Sequence, residues 1–253
     1  MIRTAALVFA ATLAGPVAAA TLEVFGSPYP PLLLERQGGL GGPFAAAFEQ
    51  LAHAQGIAVS YVSVPERRVL LETGHKADRC ALGVPFDPGA SETLSYVGPL
   101  APITLAVYAR RGALPRPIGN VSELGRYPVG ALDGSEVRDI LLTAGVPYQP
   151  LGDAAKGWRM LAADRFRLLV SDQPPPPDLP ASAFVRVFTL ARLERWVACQ
   201  AGTAPATLAA LRRALREGAF SAASRPIWQH YRLDSYYLAV RRDWATVRPG
   251  STP

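Results

Sequence analysis

The sequence predicts an α/β protein built as two lobes, and three observations predict it. Strand-like and helix-like segments alternate through residues 21–84 and again through 127–171, the pattern of parallel strands covered by helices. Each block carries its own dense set of apolar residues. Between them, residues 76–110 read as a buried strand, a turn-rich loop, the bend Tyr96-Val97-Gly98-Pro99, and a second strand leaving in a new direction. That order suits a chain that completes one lobe and crosses to another, and a cleft between lobes is a place to hold a small molecule. At 253 residues, two lobes and one large domain are both compatible with the length.

Taken in order, residues 21–26 alternate toward an apolar strand, which Ser27-Pro28-Tyr29-Pro30-Pro31 breaks. Gly38-Gly39-Leu40-Gly41-Gly42-Pro43 is a turn cluster without phosphate-loop spacing or a Lys-Ser/Thr pair, which argues against a nucleotide site. Phe44, Ala47, Phe48, Leu51 and Ala52 fall at helical spacing up to Gly56. Residues 57–64 alternate as a strand, 66–72 form a short helix closed by Thr73-Gly74, and 78–84 form a strand. The strand 103–109 leaves this block, followed by a proline-bearing connection at 110–117 and a short helix starting at Ser122-Glu123-Leu124. Then come a strand at 127–132, a helix at 136–144, a strand near 148–151, a helix at 154–163, and an apolar strand at 166–171 that ends on Asp172. The four consecutive prolines within 173–180 predict an extended, solvent-facing connection. Strands at 184–190 and 195–199 head back, 205–217 is an amphipathic helix with Leu208, Leu211 and Leu215 on one face, and 220–231 is a further helix. Residues 241–253 are expected to be a mobile tail.

Residues 1–20 read as a cleaved secretory signal peptide. Arg3 supplies the positive end, 5–14 the apolar core, and Val17-Ala18-Ala19-Ala20 the small-residue site, so cleavage after Ala20 and a soluble exported protein are expected. The apolar run is too short to span a bilayer. The formal net charge of +6 is spread over helix faces and the tail (Arg212, Arg213, Arg216, Arg241, Arg242, Arg248). No basic block stands beside stacking aromatics, so the charge gives no argument for nucleic acid. Two cysteines, Cys80 and Cys199, leave open either one disulfide or two isolated buried thiols.

Catalytic patterns are thin. His53, His75 and His230 stand far apart with no second ligand at metal spacing, and neither a metal nor another cofactor is expected. No Gly-x-Ser-x-Gly elbow or Ser-x-x-Lys occurs, and Cys80 reads as a structural thiol or disulfide rather than a nucleophile. Strand ends say more, because ligands in α/β lobes bind beyond the C-terminal ends of the strands. Here those ends carry Ser27 and Tyr29, then Gly83-Val84-Pro85, then Asp133-Gly134-Ser135, then Asp172. Gly134 and Ser135 stand where a helix begins, with backbone N–H groups for an anionic ligand group or for a plain cap. Tyr29, between prolines, offers a ring face or a hydroxyl, or packs. Asp172 is suited to a ligand cation or to a neighbouring arginine. Asp133 and Asp172 are the two candidates for acid–base chemistry.

The ordered set Tyr29-Pro30-Pro31, Gly74-His75-Lys76-Ala77-Asp78, Tyr96-Val97-Gly98-Pro99, Val129-Gly130 through Gly134-Ser135, Met160-Leu161-Ala162-Ala163-Asp164-Arg165, Ser171-Asp172, and Ala214-Leu215-Arg216-Glu217-Gly218 with Ile227 and Tyr231 resembles the family 3 extracellular solute-binding proteins. These are the periplasmic receptors of amino-acid ABC importers, and the resemblance runs over 21–233. It implies a two-lobed type II periplasmic-binding-protein fold, each lobe a mostly parallel sheet flanked by helices. Lobe 1 would comprise 21–108 and 196–240 and lobe 2 would comprise 109–195, joined by hinge strands at 106–110 and 195–199 and closing on ligand by hinge bending. It also implies that the strand ending at Gly83 lies beside the strand at Cys199, and hence a Cys80–Cys199 disulfide. Receptors of this family usually place an arginine after a Gly-x-Thr loop to clamp the ligand carboxylate. Here the loop, Gly83-Val84-Pro85-Phe86-Asp87-Pro88-Gly89, has none, which leaves Arg67, Arg68 or Arg79 to substitute, with Arg68 taken as the contact. Asp172 matches the acidic position that meets the ligand ammonium. The implied protein is a monomeric, non-catalytic receptor for a small polar molecule other than an ordinary α-amino acid, with an ABC permease or a sensor as its membrane partner. The alternatives are an accessory or sensory subunit acting through a protein partner, and a dehydratase-like enzyme on the same fold.

Overall fold

The computed structural model describes residues 21–132, 135–216 and 218–247, with backbone alone for 135–136 and 244–247. The expected signal peptide at 1–20, together with Asp133, Gly134 and the tail from 248, lies outside the described residues. The first block is β1 (Thr21–Gly26), a small hairpin of β2 (Leu34–Arg36) and β3 (Gly39–Gly41), α1 (Pro43–His53), β4 (Ala58–Ser63), α2 (Glu66–Gly74) and β5 (Arg79–Val84). A long β6 (Leu94–Arg110) leads to β7 (Val129–Leu132), α3 (Ser135–Thr143), β8 (Gln149–Leu151), α4 (Ala154–Ala162) and β9 (Leu168–Ser171). An equally long β10 (Phe184–Gln200) returns to α5 (Pro205–Ala214), α6 (Arg225–His230) and α7 (Asp234–Val247).

The larger strands form one mixed sheet in the order β4-β1-β5-β10-β6-β9-β7-β8. Its outer pairs are parallel, β1 with β4 and β5, and β7 with β8 and β9. The centre is antiparallel: β10 pairs with β6 from Phe184↔Arg110 to Gln200↔Leu94. The two lobes are therefore two ends of one sheet, joined by a two-stranded ribbon.

The twofold side-chain period of a strand sends alternate residues to opposite faces, and each face needs a cover. In β1, Leu22 and Val24 enter the core beneath α1, α5 and α6, while Phe25 joins Val69 of α2, Ala81 and Val84 on the other side. In β9, Leu168 and Val170 pack with Leu124, Val129 and Leu141, while Leu169 packs with Trp158 and Leu161 of α4. Ile103 belongs to the first lobe's core and Leu105 to the second's, and Leu193, opposite Ile103, packs against both. The hand-over between cores thus falls at 103–105 and 191–193. The segments 106–110 and 195–199, expected to be the paired hinge, lie opposite different stretches of the ribbon, 184–189 and 95–101.

Cys80 and Cys199 are direct cross-strand partners of β5 and β10, with Cα atoms 3.9 Å apart, and they form a disulfide. It joins positions 119 residues apart, a loop for which chain-entropy arguments give roughly 4–5 kcal/mol of stabilisation.

Four expectations are corrected. The segments read as strands at 184–190 and 195–199 form the single strand β10, and β6 begins at Leu94 rather than near 103: the ladder runs through both prolines, Pro99 beside a register shift and Pro102 opposite Glu194. The helix expected over 220–231 is broken into 3-10 turns at Gly218–Phe220 and Ala222–Ser224 before α6, with Pro in the first turn of α6. The run 173–180 is not wholly solvent-facing: Gln173, Pro174 and Pro176 are buried, and the Trp158 indole N–H donates to the Gln173 carbonyl at 3.2 Å. Residues 241–247 are helical, not a loose tail, because Asp243 of α7 pairs with Arg186 of β10 at 2.7 Å and Arg241 donates to the Tyr237 hydroxyl at 3.0 Å.

Gly218, the last residue of the Leu215–Gly218 motif, has φ +58°, and a Cβ there would stand 2.5 Å from the Leu100 carbonyl oxygen. Gly218→Ala is expected to cost roughly 2–4 kcal/mol in urea unfolding, from left-handed strain plus overpacking against backbone. Gly112→Ala, at φ +74° in open space, should cost only about 1–2 kcal/mol.

Candidate functional site

Three elements bring a tyrosine, an aspartate and an arginine together where the lobes meet. Tyr29 sits on a tight turn after β1: its N–H donates to the Leu33 carbonyl at 2.7 Å, and Leu32 and Leu33 are driven into the core beneath it. Asp172 follows β9, where the Ser171 hydroxyl and the Gln173 backbone bond each other in both directions at 3.0 Å and fix the chain's exit. Arg195 comes from β10, opposite Ala101.

The Arg195 guanidinium donates to Asp172 Oδ2 at 2.9 Å, and each side chain is 12% exposed. The Tyr29 hydroxyl donates to the Asp172 backbone carbonyl at 3.4 Å, and the Arg195 guanidinium lies 5.2 Å from the centre of the Tyr29 ring. A buried ion pair needs close geometry and further contacts to offset desolvation, and the phenol ring supplies one as a cation–π partner. Sequence reasoning left Asp172 open to a ligand cation or to a neighbouring arginine; in the structure its carboxylate is held by Arg195.

Three phenols surround this junction. Burial, then the nearby Asp172 carboxylate, hold the Tyr29 hydroxyl well above its ordinary range, with Arg195 pulling the other way. Tyr108 is pushed up to about 12, first by burial. Tyr236 of α7 is raised by burial, then by the proximity of Tyr108 and Asp172. All three are neutral hydrogen-bond donors at physiological pH.

The other expected ligand residues lie around the strand ends. Ser27 is half-buried just past β1. Gly83, at φ +76°, sits where the β5–β10 register shifts, so the backbone bulges there, and a Cβ at Gly83 would meet open space. Pro85 follows, and the next residue, Phe86, is 51% exposed and packs on Tyr96 and Trp196, with ring centres 4.7 and 5.5 Å away. Ser135 opens α3, and its partner Gly134 lies outside the described residues. Arg68 is on the exposed side of α2, paired with Glu72 four residues on. Arg79 is absorbed by lobe 1, pairing with Glu23 at 2.8 Å and stacking 5.1 Å from the Phe25 ring. Tyr29 and Asp172 are the expected residues that the fold brings into contact. Arg195, Tyr236 and Tyr108 were missed; the signal available for the first was an arginine at the head of the apolar run 196–199.

No protein-family model and no curated protein matches the sequence. Solved structures do match. A histidine kinase sensor domain with similarity to periplasmic binding proteins aligns at 18% identity and TM-score 0.59, over 88% of this chain and 95% of that one. An ancestral cationic amino-acid solute-binding protein aligns at 14% identity and TM-score 0.70, over 84% and 95%. The chain has the fold of the periplasmic binding proteins. A binding component of an ABC transporter from Wolinella succinogenes, complexed with lysine, also aligns, at 13% identity and TM-score 0.66 over 87% and 99%.

Two measurements check the junction. Asp172→Ala removes the carboxylate from a buried guanidinium and should lower unfolding free energy by about 3–5 kcal/mol. The double variant Asp172→Leu with Arg195→Met should cost less than that single change, as urea titration will show. The phenols have folded pKa values raised above the unfolded value near 10. Their contribution is therefore fully present below about pH 10 and is lost as pH rises toward about 12 for Tyr108. At pH 11, urea unfolding should release a step of phenolate absorbance that Tyr108→Phe reduces.

Proposed function

We propose that this protein is a periplasmic solute-binding protein that captures a small polar molecule between its lobes, for transport or signalling, and does not transform it. The observation that carries this reading is the convergence of β1, β9 and the ribbon on Tyr29, Asp172 and Arg195, at the place where one core hands over to the other. Lobe rotation about 103–105 and 191–193 would open and close that junction. Oxidised Cys80–Cys199 supports an oxidising compartment and hence export through a cleaved leader.

The ligand is not an ordinary α-amino acid. The carboxylate that would meet an ammonium is neutralised by Arg195, and Arg68 and Arg79 are both engaged by lobe 1 acids. A sensory role through a membrane partner is the second reading, favoured by the same self-neutralised junction and by the likeness to a kinase sensor domain.

A thermal-shift screen tests the reading. A ligand held by the folded state alone raises the melting point by mass action, several degrees at a hundredfold excess over Kd. We expect lysine, arginine and glutamine at millimolar concentration to leave the melting point unchanged, and a non-amino-acid metabolite to raise it and be recovered intact. A clear shift with lysine or arginine would overturn the ligand assignment, and turnover of the stabilising compound would overturn the receptor.

A further inference from the structure

A cavity of about 580 Å³ lies between lobe 2 and α7, on the face of the ribbon that carries Thr104 and Tyr108. It adjoins the junction, sharing Asp172, Tyr108 and Tyr236 with it, but Ser27, Tyr29, Arg68, Gly83 and Pro85 do not line it. Its volume is that of a small-molecule site.

One wall is apolar and built of rings set at steep angles, Tyr108 at 57° and Phe184 at 65° to Trp158. The Trp158 ring centre lies 4.9 Å from that of Tyr108 and 5.0 Å from that of Phe184, and the run of four prolines after Gln173 extends this surface. The opposite wall is α7, with Tyr236 and Val240 turned toward the cavity. An aromatic ring suits such a wall, because rings pack edge-to-face as well as stacked, and it fits there better than a hydrated chain does.

The charge around the cavity is unbalanced. Arg186 and Asp243 neutralise each other at 2.7 Å, and Asp172 is met by Arg195 at 2.9 Å. Arg232 and Arg242 also line the cavity; both residues are exposed, and neither has an ion-pair partner among the described residues. Two positive charges are left over, which favours an anion and repels an amine.

The polar groups point the same way. The Tyr108 and Tyr236 hydroxyls have no hydrogen-bond partner among the described residues, and both residues are half-buried along the cavity. Raised pKa values keep both protonated, so they can donate and not repel a negative group.

We infer that this cavity binds a small aromatic carboxylate, its ring between the Trp158–Phe184 wall and α7 and its carboxylate facing the phenol and arginine donors. Charge-assisted bonds from arginine to carboxylate are the strong ones, so the two unpaired arginines set the affinity.

Isothermal titration of the protein with benzoate and phenylacetate, against benzamide and benzylamine, tests the inference. At least one carboxylate should bind, with the amide and the amine at least tenfold weaker. Arg232→Asn with Arg242→Ala should weaken carboxylate binding at least tenfold. Asn is chosen at 232 because that residue has φ +58°, which Asn tolerates. Ala239→Leu, which fills the cavity from α7, should abolish binding, and Arg213→Ala on α5 should leave it unchanged, with circular dichroism confirming the fold of each variant. No heat with either carboxylate at 10 mM, or equal affinity in the double-arginine and cavity-filling variants, would overturn the site. Because Asp172 and Arg195 are intact in both variants, loss of binding there is distinct from failure of the inter-lobe reading.

Discussion

The antiparallel ladder between β6 and β10 is the constraint on which the rest of the structure depends, because each strand serves two lobes at once. Most residues of the ribbon have a partner across it, and its apolar side chains feed the cores of both lobes, so neither strand can shift without disturbing both ends. The long ladder is broken by register shifts near Arg186, Thr189, Arg195 and Val197, where extra residues bend it locally. The ladder also fixes the heights at which β5 and β9 join from opposite sides, and so where Cys80, Asp172 and Arg195 must stand.

At the junction the fold places an acid and a base from different lobes in one poorly solvated spot. Arg195 belongs to the strand opposite Ala101, in the lobe 1 half of the ribbon, while Asp172 ends a lobe 2 strand. Their pairing makes the acid both a surface facing the other lobe and a strut between lobes. Tyr29 adds a ring to the guanidinium and a hydroxyl to the Asp172 backbone, so a loop of lobe 1 is tied to the same point.

Much of this was legible in the sequence. Apolar alternation such as Leu22 and Val24 against Phe25 marks a strand covered on both faces, and Phe44, Ala47 and Phe48 mark a helix lying on one of them. The rule that ligands meet strand ends picked out Tyr29 and Asp172. What failed did so for physical reasons. Pro99 and Pro102 signal a break locally, yet the ladder runs through both, Pro99 beside a register shift and Pro102 opposite Glu194. Residues 234–247 gave little local sign of a helix, because their order comes from distant partners: Tyr237 stacks on Phe220, and Asp243 reaches Arg186. Arg195 reaches Asp172 only through the register of two strands, which no spacing along the chain encodes.

The disulfide gives the fold a mechanical asymmetry. It stitches β5 to β10 on the lobe 1 side of the core hand-over, so three adjacent strands there, β1, β5 and β10, behave as a stiff slab. The far end of the ribbon has hydrogen bonds but no such covalent stitch. Torque applied to lobe 2 is therefore not shared evenly along the seventeen-residue strands. On the proposed lobe rotation it would concentrate as twist in the few pairs around Ile103↔Leu193 and Leu105↔Ala191, a short torsion bar beneath the aspartate and arginine that bridge the gap.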